Sequence, residues 1–377
     1  MHIKKYIIYI ACFSAFILLV LYSSVCIAAA KEGLNLWINV VFPSLFPFFI
    51  ASSMLISYGA ATALGNVLAP VMRLLFKASG ESGYIMATTM LSGYPMGPRL
   101  CSQMYSKGYI STSQVEHFLS FVNTSGPSFI IGAVASGMLR NAQLGIYLAI
   151  AHYVGALLTG IIFSIKKDKP INLSHSKDNI TTEPFGKVLS KAVSNAMQTQ
   201  LIIGGFIILF SIIIKLLLHL NILSGISYII SQITNVNSPE LISSTLAGVF
   251  EITNSCNLLA ANDSISLNVL LPLIAAVISF SGFSIIMQSY ALITNTGARF
   301  KTLIAPKIVH ALIAYILCVI TLKLFPISIA VSNIAAAYNY SFTNTLINSV
   351  TYSVMYSLVV IIVIMISNIL RHSKKPA

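Results

Sequence analysis

Tyr84-Ile85-Met86-Ala87-Thr88-Thr89-Met90-Leu91-Ser92-Gly93-Tyr94-Pro95-Met96-Gly97-Pro98-Arg99 is an apolar run that interrupts itself. Gly93, Pro95, Gly97 and Pro98 crowd its end. Proline removes a backbone donor and clashes with the preceding turn, and glycine carries the largest backbone entropy cost, so a helix is expected to stop here. A second interruption follows at Ser120-Phe121-Val122-Asn123-Thr124-Ser125-Gly126-Pro127-Ser128-Phe129. The later half of the chain carries a similar pair. Leu246-Ala247-Gly248-Val249-Phe250-Glu251-Ile252-Thr253-Asn254 is followed by Ser279-Phe280-Ser281-Gly282-Phe283-Ser284. Gly93 and Gly126 are 33 residues apart, and Gly248 and Gly282 are 34 apart.

The medium around these interruptions follows from composition. Of 377 residues, 56% are hydrophobic and only 8% are charged. Ordinary soluble domains hold about 25% charged residues. A soluble fold of this length has no interior large enough for that apolar load, so lipid must be the solvent. Backbone polar groups at bilayer depth have no water to bond, which leaves helices or a closed barrel. The apolar runs here are long and continuous, without the alternation of barrel strands. The expected fold is an all-α polytopic membrane protein.

Apolar spans are expected at Tyr6 to Ala30, Leu34–Tyr58, Phe118–Leu139, Gln143–Ile165, Leu201–Leu223, Ile265–Gly282, Leu303–Phe325 and Thr351–Leu370. Ala28-Ala29-Ala30 resembles a signal-peptide cleavage site. The apolar stretch before it exceeds the usual signal core of about 7–15 residues, and it is read as a retained first helix. Lys and Arg residues cluster at the N-terminus (Lys4, Lys5), in the polar stretch Lys166–Lys191 and in the tail (Arg371, Lys374, Lys375). No Lys or Arg occurs from Asn221 to Ala298 or from Leu324 to Val350. The positive-inside rule then places both termini and the central stretch in the cytoplasm, with eight crossings. Lys31 and Arg140 fall outside under this assignment. The expected organisation is a first transmembrane helix at 1–33, a first unit with broken helices at 34–165, and a cytoplasmic linker at 166–198. A second unit follows at 199–325, then an outside loop, last helix and basic tail at 326–377.

Under this topology the first unit begins outside and the second inside, so the two are expected to be inverted repeats with re-entrant hairpins and discontinuous helices. That is the common build of secondary transporters, with the solute site where the breaks meet. Half-helix starts present free N–H groups and partial positive charge to an anion. The plainer reading is that small residues only let helices pack closely, but packing does not require two pairs of breaks at matched spacing.

Ionisable groups at membrane depth are functional candidates by default. Arg99 is expected to pair with a substrate carboxylate through its planar fork. Glu251 is expected to bind a cation or a substrate donor. Gly93, Tyr94, Pro95 and Gly97 at the first break join Asn123, Thr124, Ser125 and Gly126 at the second. Asn254, Ser281, Gly282 and Ser284 complete the expected solute-binding set.

Several classes are disfavoured. The net charge of +13 is spread over segment ends rather than gathered on one face with aromatic residues, so no nucleic-acid partner is expected. The five cysteines show no CxxC spacing, no HExxH appears and no GxxxxGK loop is present, so no metal, cofactor or ATP-driven role is expected. Paired carboxylates are absent among nine acidic residues, and no catalytic residue is assigned. The expected partners are the lipid bilayer and a small solute, and a homo-oligomer is possible.

The strings Gly80-Glu81-Ser82-Gly83-Tyr84, Leu91-Ser92-Gly93-Tyr94-Pro95-Met96-Gly97 and Phe121-Val122-Asn123-Thr124-Ser125-Gly126-Pro127 resemble the sporulation integral membrane protein YlbJ (SpoVV) family. Trp37 and Pro43-Ser44-Leu45-Phe46-Pro47-Phe48 are similar to the same family. The resemblance covers most of the chain. It implies a nucleoside-recognition or gate domain related to the concentrative nucleoside transporter fold. It also implies movement of the dianion dipicolinic acid across the outer forespore membrane during sporulation. Two other readings stay open: a nucleoside or nucleobase carrier, and a membrane scaffold or receptor that moves nothing.

Overall fold

The computed structural model describes residues 2–327, apart from 165–182 and positions 59, 79, 107, 235, 237, 263 and 264. Thr351–Leu370 and most of the basic linker therefore lie outside the described residues. Every regular element among them is helical.

The chain opens with α1 (His2–Leu21) and α2 (Ser23–Leu36), which passes through a π-helical turn at Trp37–Val41 into α3 (Phe42–Ser57). It continues with α4 (Ala60–Phe76), α5 (Gly80–Ser92), α6 (Met96–Ser106), α7 (Thr112–Phe118), a π-helical segment Ser128–Met138 and α8 (Leu144–Ser164). Then come α9 (Phe185–His219), α10 (Ile222–Thr234), α11 (Pro239–Phe250), α12 (Ile252–Ala260), α13 (Leu267–Phe280), α14 (Gly282–Ile293) and α15 (Lys301–Leu324). A long helix at 23–57 is followed by α4, two interrupted helices and α8. The 35-residue α9 is followed by α10, two interrupted helices and α15.

The packing follows the same order. α2 and α3 lie along α9, α8 lies along α15, and α4 and α10 pack on α5 and α11 respectively. Five described helical stretches are long and apolar enough to cross a membrane, and the one over α13 and α14 is the most enclosed. Leu74, Ile146, Leu201, Ile233, Leu312 and Ile316 point outward, whereas Thr88, Asn123, His152, Gln200 and Lys307 are buried. An apolar exterior around an interior that also holds polar side chains is what lipid as solvent selects, since association there rests on close packing and internal hydrogen bonds rather than on hydrophobicity.

Four sequence expectations change. The first span does not end at Ala30, because α2 runs on through Lys31 and Glu32. Its buried residues Cys26, Ala29, Gly33 and Leu36 recur at three- and four-residue steps, one helical stripe facing α9, so Lys31 and Glu32 fall on the outer face. There Glu32 pairs with Lys215 at 3.3 Å. The interruption lies instead at Tyr22 (φ −111°, ψ 35°). Second, Phe118–Leu139 is not one crossing, because 119–127 separates α7 from the π-helical segment. Third, α9 begins at Phe185, inside the stretch read as linker. Fourth, within the interruption expected over Leu246–Asn254, Gly248 itself stays helical and the break falls at Glu251.

Candidate functional site

At the first break α5 ends on Ser92, Gly93 takes φ +78°, and a cis Tyr94–Pro95 bond leads into α6. At the second, the chain leaves α7, turns through Phe121 and Val122, and restarts at Ser128 after Gly126 and Pro127. The two breaks touch through bare backbone: a Cβ on Gly93 would sit 2.5 Å from the Gly126 nitrogen. Gly97 is pressed closer still to the Val122 carbonyl.

The later half repeats the contact. Glu251 is extended (φ −152°, ψ 128°) between α11 and α12. Ser281 and Gly282 are left-handed (φ +71° and +69°) between α13 and α14. A Cβ on Gly282 would meet the Gly248 and Phe250 carbonyl oxygens at 3.0 and 3.1 Å. In both halves, then, a glycine at one interruption admits the backbone of the other.

The interruptions of both halves converge on one cavity of about 50 Å³. Ser92, Gly93, Tyr94, Ser125, Gly126 and Ser128 form the wall from the first half. Glu251, Ile252, Thr253, Ser284 and Gln288 face them, and Val41, Phe49, Phe206 and Ile207 of the long helices close the side. The starts of α12, of α14 and of the Ser128–Met138 segment all reach this space, and helix starts carry unbonded N–H groups. Glu251, only 3% exposed, is the one carboxylate on the wall. It caps its own helix by accepting from the Asn254 backbone N–H at 2.7 Å and from Asn254 Nδ2 at 3.0 Å. Asn254 Oδ1 in turn accepts from Ser211 of α9 at 2.8 Å.

Of the residues singled out from sequence, Gly93, Tyr94, Ser125, Gly126, Glu251 and Ser284 line the cavity. Pro95 and Gly97 shape the start of α6. Asn254 holds Glu251, and Ser281 and Gly282 form the turn behind the wall. Asn123 and Thr124 are buried beside the second break, off the wall, and their side-chain polar atoms find no partner among the described residues. Arg99 is exposed on α6 and does not reach the cavity. The reason is helical geometry: Gly97, Pro98, Leu100 and Cys101 occupy the buried face of α6, and Arg99 projects from the other.

A cluster that sequence reading passed over stands behind the first-half breaks. Lys307 of α15 is 3% exposed, and its Nζ donates to the Tyr94 hydroxyl at 3.0 Å and to the Asn123 carbonyl at 2.5 Å. The ammonium also lies 4.5 Å from the centre of the Tyr94 ring. Among the described residues no carboxylate lies within ion-pair distance of it. A lysine at bilayer depth costs about 2.5–3.5 kcal/mol on insertion scales, so its presence asks for a role. His152 of α8 accepts from the Ser125 backbone N–H through Nε2 at 2.9 Å. Its Nδ1 therefore carries the proton and donates to Ser279 Oγ at 2.8 Å. His310 Nε2 donates to the His152 carbonyl at 2.8 Å. The signal was in the sequence as ionisable residues inside the apolar spans Gln143–Ile165 and Leu303–Phe325.

The halves are also clasped at one surface. Arg299, before α15, binds Glu116 of α7 through Nε and Nη2, each at 3.0 Å, and that bonding holds its guanidinium above the usual arginine range. Asn295 bridges Ser102 and Ser106 of α6, and Thr112 donates to the Thr296 carbonyl at 2.7 Å. Among the described residues no three His, Cys, Asp or Glu side chains gather as a metal site.

No protein-family model matches the chain, and no solved structure matches it. Among curated proteins, the sporulation integral membrane protein YlbJ of Bacillus subtilis (strain 168) is 35% identical over 315 residues, covering 78% of this chain and 77% of that protein. An all-helical, lipid-facing chain with that identity over that extent is a member of the YlbJ family of sporulation integral membrane proteins.

Proposed function

We propose that the protein is a secondary carrier, not an enzyme, which passes a small organic anion across the membrane of a sporulating cell, dipicolinic acid first among candidates. The observation that carries this reading is the meeting of interruptions from both halves at one cavity, three through their own residues and the fourth through the start of α14 that follows it. Non-helical backbone is tolerated at bilayer depth only when buried in protein or lining a wet space, and inverted repeats around such a space are the common transporter plan. The matching order of elements supports two inverted repeats of the concentrative-nucleoside-transporter kind, with both termini cytoplasmic. The outer forespore membrane is the corresponding location.

Chemistry supports an anion. Glu251 is engaged by its own helix, which leaves the starts of α14 and of the Ser128–Met138 segment to receive carboxylates. At about 50 Å³ the cavity holds roughly three to five waters, so a dicarboxylate enters only when the halves move apart. Alternating exposure of the cavity is the motion required.

A second reading, a nucleoside or nucleobase carrier, is favoured by Glu251, an acceptor suited to sugar hydroxyls or ring N–H groups. The test is uptake of labelled dipicolinate by proteoliposomes of the purified chain, competed with uridine. Saturable dipicolinate uptake insensitive to uridine is expected, and spores lacking the protein should be poor in dipicolinate. Uridine uptake blocked by neither unlabelled dipicolinate nor pyridine monocarboxylates would favour the second reading. A protein that moves neither solute, yet copurifies stoichiometrically with another membrane protein, would be a scaffold.

A further inference from the structure

Lys307 is not needed to form the cavity, and its surroundings are not those of a structural lysine. The cluster contains no counter-ion among the described residues, and its ammonium faces a main-chain carbonyl at an unwound segment, a hydroxyl and an aromatic face. Carbonyls freed by unwound helices are where secondary carriers hold a coupling cation. We infer that the Lys307 ammonium, held between the Asn123 carbonyl and the Tyr94 hydroxyl, is a built-in coupling cation, so that the coupling ion is a proton and not sodium. This rests on the carrier reading and adds its energy source.

The placement fits a coupling role. Lys307 belongs to α15 of the second half, and both its acceptors belong to breaks of the first half. Tyr94 also donates to the Ile278 carbonyl on α13 at 3.3 Å and lines the cavity, so one residue touches both the ammonium and the solute space. With its proton, Lys307 joins the halves by charge-assisted bonds. When that proton passes to water on the side to which the cluster has opened, the amine keeps no charge and those bonds weaken, which frees the first-half breaks to move.

The neighbouring titratable groups are otherwise occupied. α8 presents His152, bonded at both ring nitrogens, and Tyr153, which donates to the Ser125 carbonyl at 3.1 Å. α15 itself adds His310, whose Nε2 is used by His152. α14 offers Tyr290, set edge-on to Phe300 with ring centres 5.1 Å apart, and α13 contributes no titratable side chain.

The test uses proteoliposomes of the full chain given labelled dipicolinate outside, with membrane potential clamped. A gradient of one pH unit in sodium-free choline buffer is worth about tenfold accumulation per proton. Wild type is expected to reach that order, while Lys307→Gln and Lys307→Arg equilibrate solute without concentrating it and still show counterflow. A second reading of the same site needs no transport. In Lys307→Ala, sodium or methylammonium should raise the apparent Tm relative to choline, whereas the wild-type Tm should not respond. Accumulation that requires sodium in wild type, undiminished accumulation by Lys307→Gln, or a Lys307→Ala variant blind to small cations would each overturn the inference. If wild type shows neither accumulation nor counterflow, the carrier reading fails, and the cation response of Lys307→Ala alone decides whether the ammonium fills a cation site.

Discussion

Replacing Gly93 with alanine separates two costs that the structure assigns to this position. The residue has φ +78°, and an alanine in that region costs about 1–2 kcal/mol. Its Cβ would also lie 2.5 Å from the Gly126 nitrogen and 3.0 Å from its Cα. Those atoms are main chain and cannot rotate aside, so overpacking adds about 1–3 kcal/mol. Gly108 provides the control, with φ +75° and nothing within 4 Å of its Cβ. Gly108→Ala should pay only the backbone cost, and Gly93→Ala should lose about 1–3 kcal/mol more. Apparent Tm in detergent at one scan rate ranks the two variants, since unfolding of such chains is commonly irreversible. Uptake should fall in Gly93→Ala and persist in Gly108→Ala. Equal Tm and equal uptake for the pair would refute the contact between the first two breaks.

Three further outcomes are expected. Glu251→Ala removes the α12 cap and should cost about 0.5–2 kcal/mol, while Glu251→Gln keeps an accepting oxygen and should cost less; paired Tm measurements check this. Arg99→Ala should leave dipicolinate uptake unchanged, because Arg99 is exposed and off the cavity wall, and a loss of uptake in a correctly inserted variant would contradict that. Hydrogen bonds from Lys187 and then Lys191 hold the Glu183 carboxyl below the usual glutamate range. A depressed folded pKa stabilises above the unfolded value of about 4.3 and is lost as pH falls through the folded one. Amide exchange at the first turn of α9, corrected for intrinsic rates, should therefore quicken only in acid.

The membrane class and the four interrupted stretches were legible, and three of the interruptions were sharply placed because they are written locally. Gly93 beside Pro95, Gly126 beside Pro127 and Ser281 beside Gly282 break helices by their own backbone chemistry. Glu251 was seen as a site residue inside the Leu246–Asn254 interruption, yet the spacing was measured from Gly248, because no glycine or proline marks Glu251. That helix stops where a buried carboxylate turns back to cap the next one, a choice made by the surroundings. The continuity of α2 was missed because Lys31 and Glu32 read as polar ends, although the stripe through Cys26, Ala29, Gly33 and Leu36 carries the helix past them. Arg99 misled for a different reason. Proximity to a break in sequence does not fix the helix face, and one residue along α6 is a rotation of about 100°. Lys307 and Tyr94 are separated by 213 residues, and their contact depends on how α15 crosses the first half.

The meeting of the two halves' interruptions at one cavity is tested most directly by a cysteine pair. Ser125 and Ser284 both line the cavity, one from each half. With the native cysteines replaced, Ser125→Cys and Ser284→Cys together should be bridged by a short bifunctional thiol reagent, and saturating dipicolinate should block the bridge. Two cysteines that each react singly but never bridge would place the breaks apart and remove the basis for a shared solute site.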